Sequence, residues 1–130
     1  MTNSLLNTQH LSDKTWGPGL LDTKEIIEIE SKTINQMVID LNFDSIDILK
    51  LDVQGAEYKV FNGAMNLLSI GGGKVIYMEI INMPTYLGQW DIVDYFIMLR
   101  EFGYKLVGLY NYSYSKTGEL RQVDAIFSYN

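Results

Sequence analysis

The sequence predicts an α/β fold, with a mostly parallel sheet that ends in an antiparallel strand pair and helices on its faces. Three observations carry that expectation. Ile46 to Asp52 is a largely apolar run with Lys50 inside it, the pattern of a strand covered on both faces. From Ala56 onward, apolar residues recur at Val60, Phe61, Ala64, Leu67 and Leu68, which is helical spacing with one face toward a sheet. Lys74 to Ile81 is then a second apolar strand, and strand, helix, strand in that order is the unit from which parallel sheets are built.

The remaining elements follow in order. Residues 1–24 are polar and broken by Trp16-Gly17-Pro18-Gly19, so they read as a poorly ordered segment with at most short structure, and 25–130 as the folded portion. Glu25 to Glu30 is rich in isoleucine between charges and predicts a short strand, after which Thr33 or Asn35 can cap a helix reaching Leu41. Gly71-Gly72-Gly73 precedes a strand and therefore reads as a loop between helix and strand. Asp91 with Asp94 three residues on opens a helix whose inner stripe is Ile92, Val93, Phe96, Leu99 and Phe102, ended by Gly103. Tyr104 to Tyr110 and Val123 to Tyr129 predict strands that pair antiparallel across a polar loop from Asn111 to Arg121. The run Ile46 to Asp52 is wrong for a bare edge, so a neighbour is expected beside it: the strand at 25–30, a second copy of the chain, or a complementing N-terminal half.

Composition excludes several classes. No apolar run approaches the roughly 20 residues that span a bilayer, and the first residues lack the basic start and apolar core of an export signal. There is no cysteine, hence no disulfide or thiolate metal site, which suits a cytoplasmic location. A net charge of −6 with scattered lysines argues against nucleic-acid binding. The single histidine, His10, excludes a multi-histidine metal site and is either a base or a solvated side chain.

Chemistry is concentrated where strands end, because ligands in open α/β sheets gather beyond the carboxyl ends of strands. Asp52, Gln54, Gly55 and Glu57 follow the first long strand, and Glu79 closes the run Val75, Ile76, Tyr77 and Met78. Asp52 is the best candidate for proton transfer, with a helix cap as the alternative. Gln54 can orient a ligand through its amide, and Gly55 permits a backbone approach that a Cβ would block. Glu57, in the first turn of a helix, suits either substrate binding or a plain surface carboxylate. Tyr86 can line a pocket or pack as a lid. Three carboxylates on separate elements are a weak oxygen-ligand set, and no metal is expected.

The stretch Ile46-Asp47-Ile48-Leu49-Lys50-Leu51-Asp52-Val53-Gln54-Gly55-Ala56-Glu57 resembles the IDxLKxDVQGxE signature of the FkbM family of S-adenosylmethionine-dependent methyltransferases. The likeness continues in order through Asn62-Gly63-Ala64, Tyr77-Met78-Glu79-Ile80, Tyr86-Leu87-Gly88-Gln89, Phe102-Gly103-Tyr104 and Gln122-Val123-Asp124-Ala125-Ile126-Phe127. It is densest over residues 45 to 128. Earlier it is carried only by Ser4-Leu5-Leu6 and Thr33-Ile34-Asn35, where the family usually has T-L-D.

The resemblance implies a truncated Rossmann-like methyltransferase sheet and methyl transfer from S-adenosylmethionine to a hydroxyl of a sugar, glycolipid or secondary metabolite. It further implies Asp52 and Glu79 as catalytic, Gln54, Glu57 and Tyr86 at the acceptor, and Asp52, Gln54 and Gly55 at the cofactor. The strand and glycine-rich turn that such an enzyme uses for its cofactor find no match ahead of Asp52. The expectation is therefore the C-terminal, acceptor-binding half of the domain, with weak or no cofactor binding alone; the alternative is a non-catalytic remnant or interaction module.

Overall fold

The structure, a computed structural model, describes residues 3–9 and 12–129. Helix α1 spans Ser12–Trp16 and α2 Ile34–Asp40, followed by strand β1, Ile46–Leu51. Helices α3 (Glu57–Asn62) and α4 (Met65–Ser69) lead to β2, Gly73–Ile81. Helix α5 (Ile92–Glu101) precedes β3 (Tyr104–Tyr114) and β4 (Leu120–Tyr129).

The four strands form one sheet in the order β1-β2-β4-β3. The β1–β2 pairing is parallel, while β2–β4 and β3–β4 are antiparallel. The expected mostly parallel sheet is thus corrected to a mixed one. The terminal hairpin folds back so that β4 lies against β2, which leaves β3 on the edge and confines parallel pairing to the single crossover through α3 and α4. The hairpin is also longer than the sequence suggests: Ser113 pairs with Gln122 and Tyr114 with Leu120, and Arg121 donates to the Ser113 hydroxyl at 2.6 Å, so both strands run into the expected loop.

Alternation along β2 and β4 gives the sheet two unlike faces. Ile76, Met78 and Ile80 pair off with Phe127, Ala125 and Val123, and this face is buried under Phe61, Leu68, Tyr95 and Leu99 of the helices. Tyr77, Glu79, Gln122 and Asp124 point the other way and are half-buried.

Local chemistry sets the helix ends. Asp91 caps α5 by accepting from Val93 and Asp94 N–H groups while the Asp94 side chain accepts from the Asp91 N–H, a reciprocal capping box. Thr33 caps α2 through the Gln36 N–H. Asn35 does something else: its side-chain oxygen accepts from the Leu67 N–H at 3.2 Å, tying α2 to α4. The helix read as continuous from Ala56 to Leu68 is broken at Gly63, whose carbonyl accepts from the Asn35 N–H at 2.9 Å and whose missing Cβ leaves room for Thr33.

Two expectations near the N-terminal side are corrected. Residues 25–30 form no strand and Ile26 is 87% exposed, because β-branched side chains favour a strand only where a partner and a packing surface exist. Consequently β1 pairs with β2 alone among the described residues, and its side chains are not covered on both faces: Ile48 is 66% exposed. By contrast, residues 3–9 and 12–21 run along the loop that follows β2. An isolated antiparallel bridge joins Thr8 to Tyr86, and Gln9 donates its N–H to the Thr85 carbonyl at 2.8 Å. No helix among the described residues is long and apolar enough to cross a membrane.

Candidate active site

At the end of β1 the chain turns sharply through Gln54 (φ 52°) and Gly55 (φ 88°) before entering α3. A left-handed conformation is uncommon for a residue with a side chain, and it is held here by contacts from several directions. The Ser4 hydroxyl donates to the Gln54 carbonyl at 2.7 Å. Glu57 accepts from the Val53 N–H at 3.0 Å, closing the turn from within the first helical turn.

The turn aims the Gln54 amide along the carboxyl ends of the strands. Its Nε2 lies 3.0 Å from Asp52 Oδ1 and 3.0 Å from Glu79 Oε2, and its Oε1 accepts from the Tyr86 hydroxyl at 3.5 Å. Glu79 Oε1 in turn accepts from Gln122 Nε2 at 3.0 Å. The Glu79 carboxylate is therefore bracketed by two amides, one from the end of β1 and one from β4.

Tyr86 is positioned by its own loop. Gln89 accepts from the N–H groups of Thr85 (3.0 Å) and Tyr86 (2.7 Å) and donates to the carbonyls of Ile81 (2.8 Å) and Met83 (3.1 Å), which folds the loop onto the end of β2. The N-terminal stretch supplies the opposite wall. Trp16 donates its indole N–H to the Thr85 hydroxyl at 2.8 Å, and the Arg121 guanidinium lies 4.5 Å over the indole, a cation–π contact. Together these elements border a half-open cavity of about 220 Å³ lined by Gln54, Glu79 and Gln122 with Trp16, Thr85 and Tyr86 among its walls.

The electrostatics follow from this geometry. Burial raises the Glu79 carboxyl above its ordinary range, and the neighbouring Asp52 charge adds to the rise while the Gln54 hydrogen bond opposes it. Glu57 is also raised, chiefly by burial, against the N–H groups that it accepts from. On the same face, Tyr77 donates to Asp124 Oδ2 at 2.6 Å, and that acid holds the phenol above its usual value.

The expected site residues fare differently. Gln54, Glu79 and Tyr86 converge on the cavity. Asp52 is hydrogen-bonded to Gln54 but stands exposed beside the cavity rather than in its lining. Gly55 is buried, and the space that its missing Cβ leaves is taken by the Tyr86 ring. Glu57, expected at the acceptor, is 2% exposed and turned inward toward the Tyr95 hydroxyl at 3.5 Å, so its position serves the turn. His10 lies outside the described residues. Sequence reading overlooked Gln122 as a site residue, although its parity in β4 opposite buried Val123, Ala125 and Phe127 marks it for the polar face. No local signal pointed to Trp16.

The model of the methyltransferase FkbM domain matches residues 2–106. The chain belongs to the FkbM methyltransferase family. No curated protein and no solved structure matches it. The FkbM match begins well before the dense motif run and ends ahead of β4, so it takes in the N-terminal stretch that carries Trp16 and leaves Gln122 outside.

Methyltransferases of this family are generally dependent on S-adenosylmethionine. The cavity beside Glu79 does not take the whole of that molecule. The approach that Gly55 could offer is occupied by the Tyr86 ring, and a cavity of about 220 Å³ falls below the ~300 Å³ at which pockets for such ligands begin. What the FkbM chain does present is a mixed pocket in which Gln54, Glu79 and Gln122 stand among apolar walls from Trp16, Leu21, Ile81 and Tyr86.

Proposed function

We propose that this FkbM-family chain carries the acceptor side of an O-methyl transfer. Glu79 takes the proton from an acceptor hydroxyl held in the cavity, and that oxygen takes the sulfonium methyl of S-adenosylmethionine, the donor expected from the family, which leaves as S-adenosylhomocysteine. The observation that carries this reading is the Glu79 carboxylate at the end of β2, in the cavity and held by one amide on each oxygen. A carboxyl raised by burial is a stronger base once ionised, and a fixed one loses little freedom when it meets the hydroxyl. Asp52 sets the charge beside it, and Tyr86 and Trp16 supply apolar wall.

The acceptor is a hydroxyl of a sugar, glycolipid or secondary metabolite. Among the described residues no lysine or arginine lines the cavity, and Asp52 and Glu79 would repel an anion, so a neutral hydroxyl compound suits it better than a phosphorylated one. Transfer of labelled methyl from millimolar S-adenosylmethionine to panels of neutral and phosphorylated hydroxyl compounds tests the reading. Transfer to neutral members is expected; transfer only to phosphorylated ones, or to none, contradicts it.

A further inference from the structure

We infer that Gln122 is a positioning residue for the proton-accepting carboxylate: its side-chain amide fixes the orientation of Glu79 and stabilises its ionised form. This rests on the reading of Glu79 as the base. The argument begins with strand register. Ile81 pairs with Gln122 and Glu79 with Asp124, so all four project from the same sheet face, and Gln122 is one step along that face from the carboxylate. Gln54, in the turn after β1, bonds the other Glu79 oxygen.

The two amides that bracket Glu79 are not equivalent. Both N–H groups of Gln54 are spent, one on Asp52 and one on Glu79, and its carbonyl oxygen takes the Tyr86 hydroxyl. Gln54 is therefore locked into the turn, and changing it disturbs the backbone at a left-handed residue. The Gln122 side chain makes a single hydrogen bond among the described residues, to Glu79 Oε1, and borders the cavity. Its role is thus separable from the fold: a half-buried side chain near the start of β4, contributing one charge-assisted bond to one oxygen. Without that bond the carboxylate keeps only Gln54 on its other oxygen and is free to swing about it. With it, Glu79 presents one defined edge to an acceptor.

A hydrogen bond to a carboxylate favours its ionised form, so removing the donor raises the proton affinity of Glu79 as well as its freedom. The test uses Gln122→Leu, which keeps the bulk and drops the amide, and Gln122→Glu, which places a like charge beside Glu79. Carbon-detected NMR titration of the Glu79 carboxyl, with no donor or acceptor present, should show its midpoint moved upward in Gln122→Leu and further upward in Gln122→Glu. In the transfer assay Gln122→Leu should lower kcat roughly ten- to a hundred-fold with KM little changed, and the acidic limb of the pH–rate profile should shift upward with the NMR midpoint. Gln122→Asn, whose shorter amide does not span the same gap, should behave like Gln122→Leu. An unmoved Glu79 midpoint in both Leu and Glu variants overturns the inference even if the enzyme methylates hydroxyls. Shifted midpoints in a chain that methylates nothing support the positioning while removing the reading of the reaction.

Discussion

A Cβ placed on Gly55 would lie 2.8 Å from Cδ2 of Tyr86, so the ring occupies the space that the glycine leaves open. Tyr86 is 3% exposed and its loop is fixed by Gln89, so the ring cannot easily retreat. The backbone there is also left-handed, at φ 88°. Gly55→Ala should destabilise the chain by about 2–4 kcal/mol, adding the left-handed penalty to the overpacking cost. Chemical denaturation measures this. A shift in midpoint worth under about 0.5 kcal/mol, the level of an ordinary surface change, would contradict the packing described.

The same packing predicts cofactor behaviour. With Tyr86 seated on Gly55, S-adenosylmethionine should bind this 130-residue chain weakly or not at all. Isothermal titration should return no saturable heat in the micromolar range. A micromolar dissociation constant would mean that the chain holds its donor by residues other than those at the end of β1.

Glu57 makes a prediction about pH. Its folded pKa is raised by burial, so the folded state binds more protons than the unfolded state between the ordinary glutamate value of 4.5 and the raised one. Glu57 therefore costs stability at neutral pH, and that cost is removed as the pH falls through the raised value; Glu79 adds in the same direction. Glu57→Gln keeps an acceptor for the Val53 N–H and loses the buried charge, so it should be within about 1 kcal/mol of wild type at pH 7 or more stable, with a flatter stability profile below it. Glu57→Ala leaves the Val53 N–H unpaired and should cost about 1–3 kcal/mol or more. A Gln variant as unstable as Ala would show that the charge itself holds the turn.

The open side of β1 predicts association. Ile48 is 66% exposed on a strand that pairs only with β2 among the described residues, and an edge of that kind is a template for further strands. Ile48→Lys should reduce concentration-dependent association in light scattering while changing stability by no more than about 0.5 kcal/mol. Equal association in both proteins would locate the sticky surface elsewhere.

Elements with local signals were legible in the sequence. The capping pair Asp91 and Asp94 marks α5, and the apolar runs mark β1 and β2 to within a residue. Features decided by distant partners were not. The break at Gly63 depends on Thr33 and Asn35 approaching from another helix, and the 25–30 segment has strand-forming residues with no strand beside it. The site shows the same division. Gln54 and Glu79 could be placed at strand ends from sequence, but whether Glu57 faces a pocket or the core depends on Tyr95, and Gln122 reaches Glu79 only because β4 inserts beside β2.

The most direct test compares Glu79→Gln with Asp52→Asn in the labelled methyl-transfer assay. Both changes keep shape and remove a base, but only Glu79 lines the cavity. Glu79→Gln should lower turnover by roughly 10²–10⁴ with the fold intact, and Asp52→Asn should lower it by less. Turnover undiminished in Glu79→Gln, or a loss confined to Asp52→Asn, would contradict the assignment of Glu79 as the group that takes the acceptor's proton.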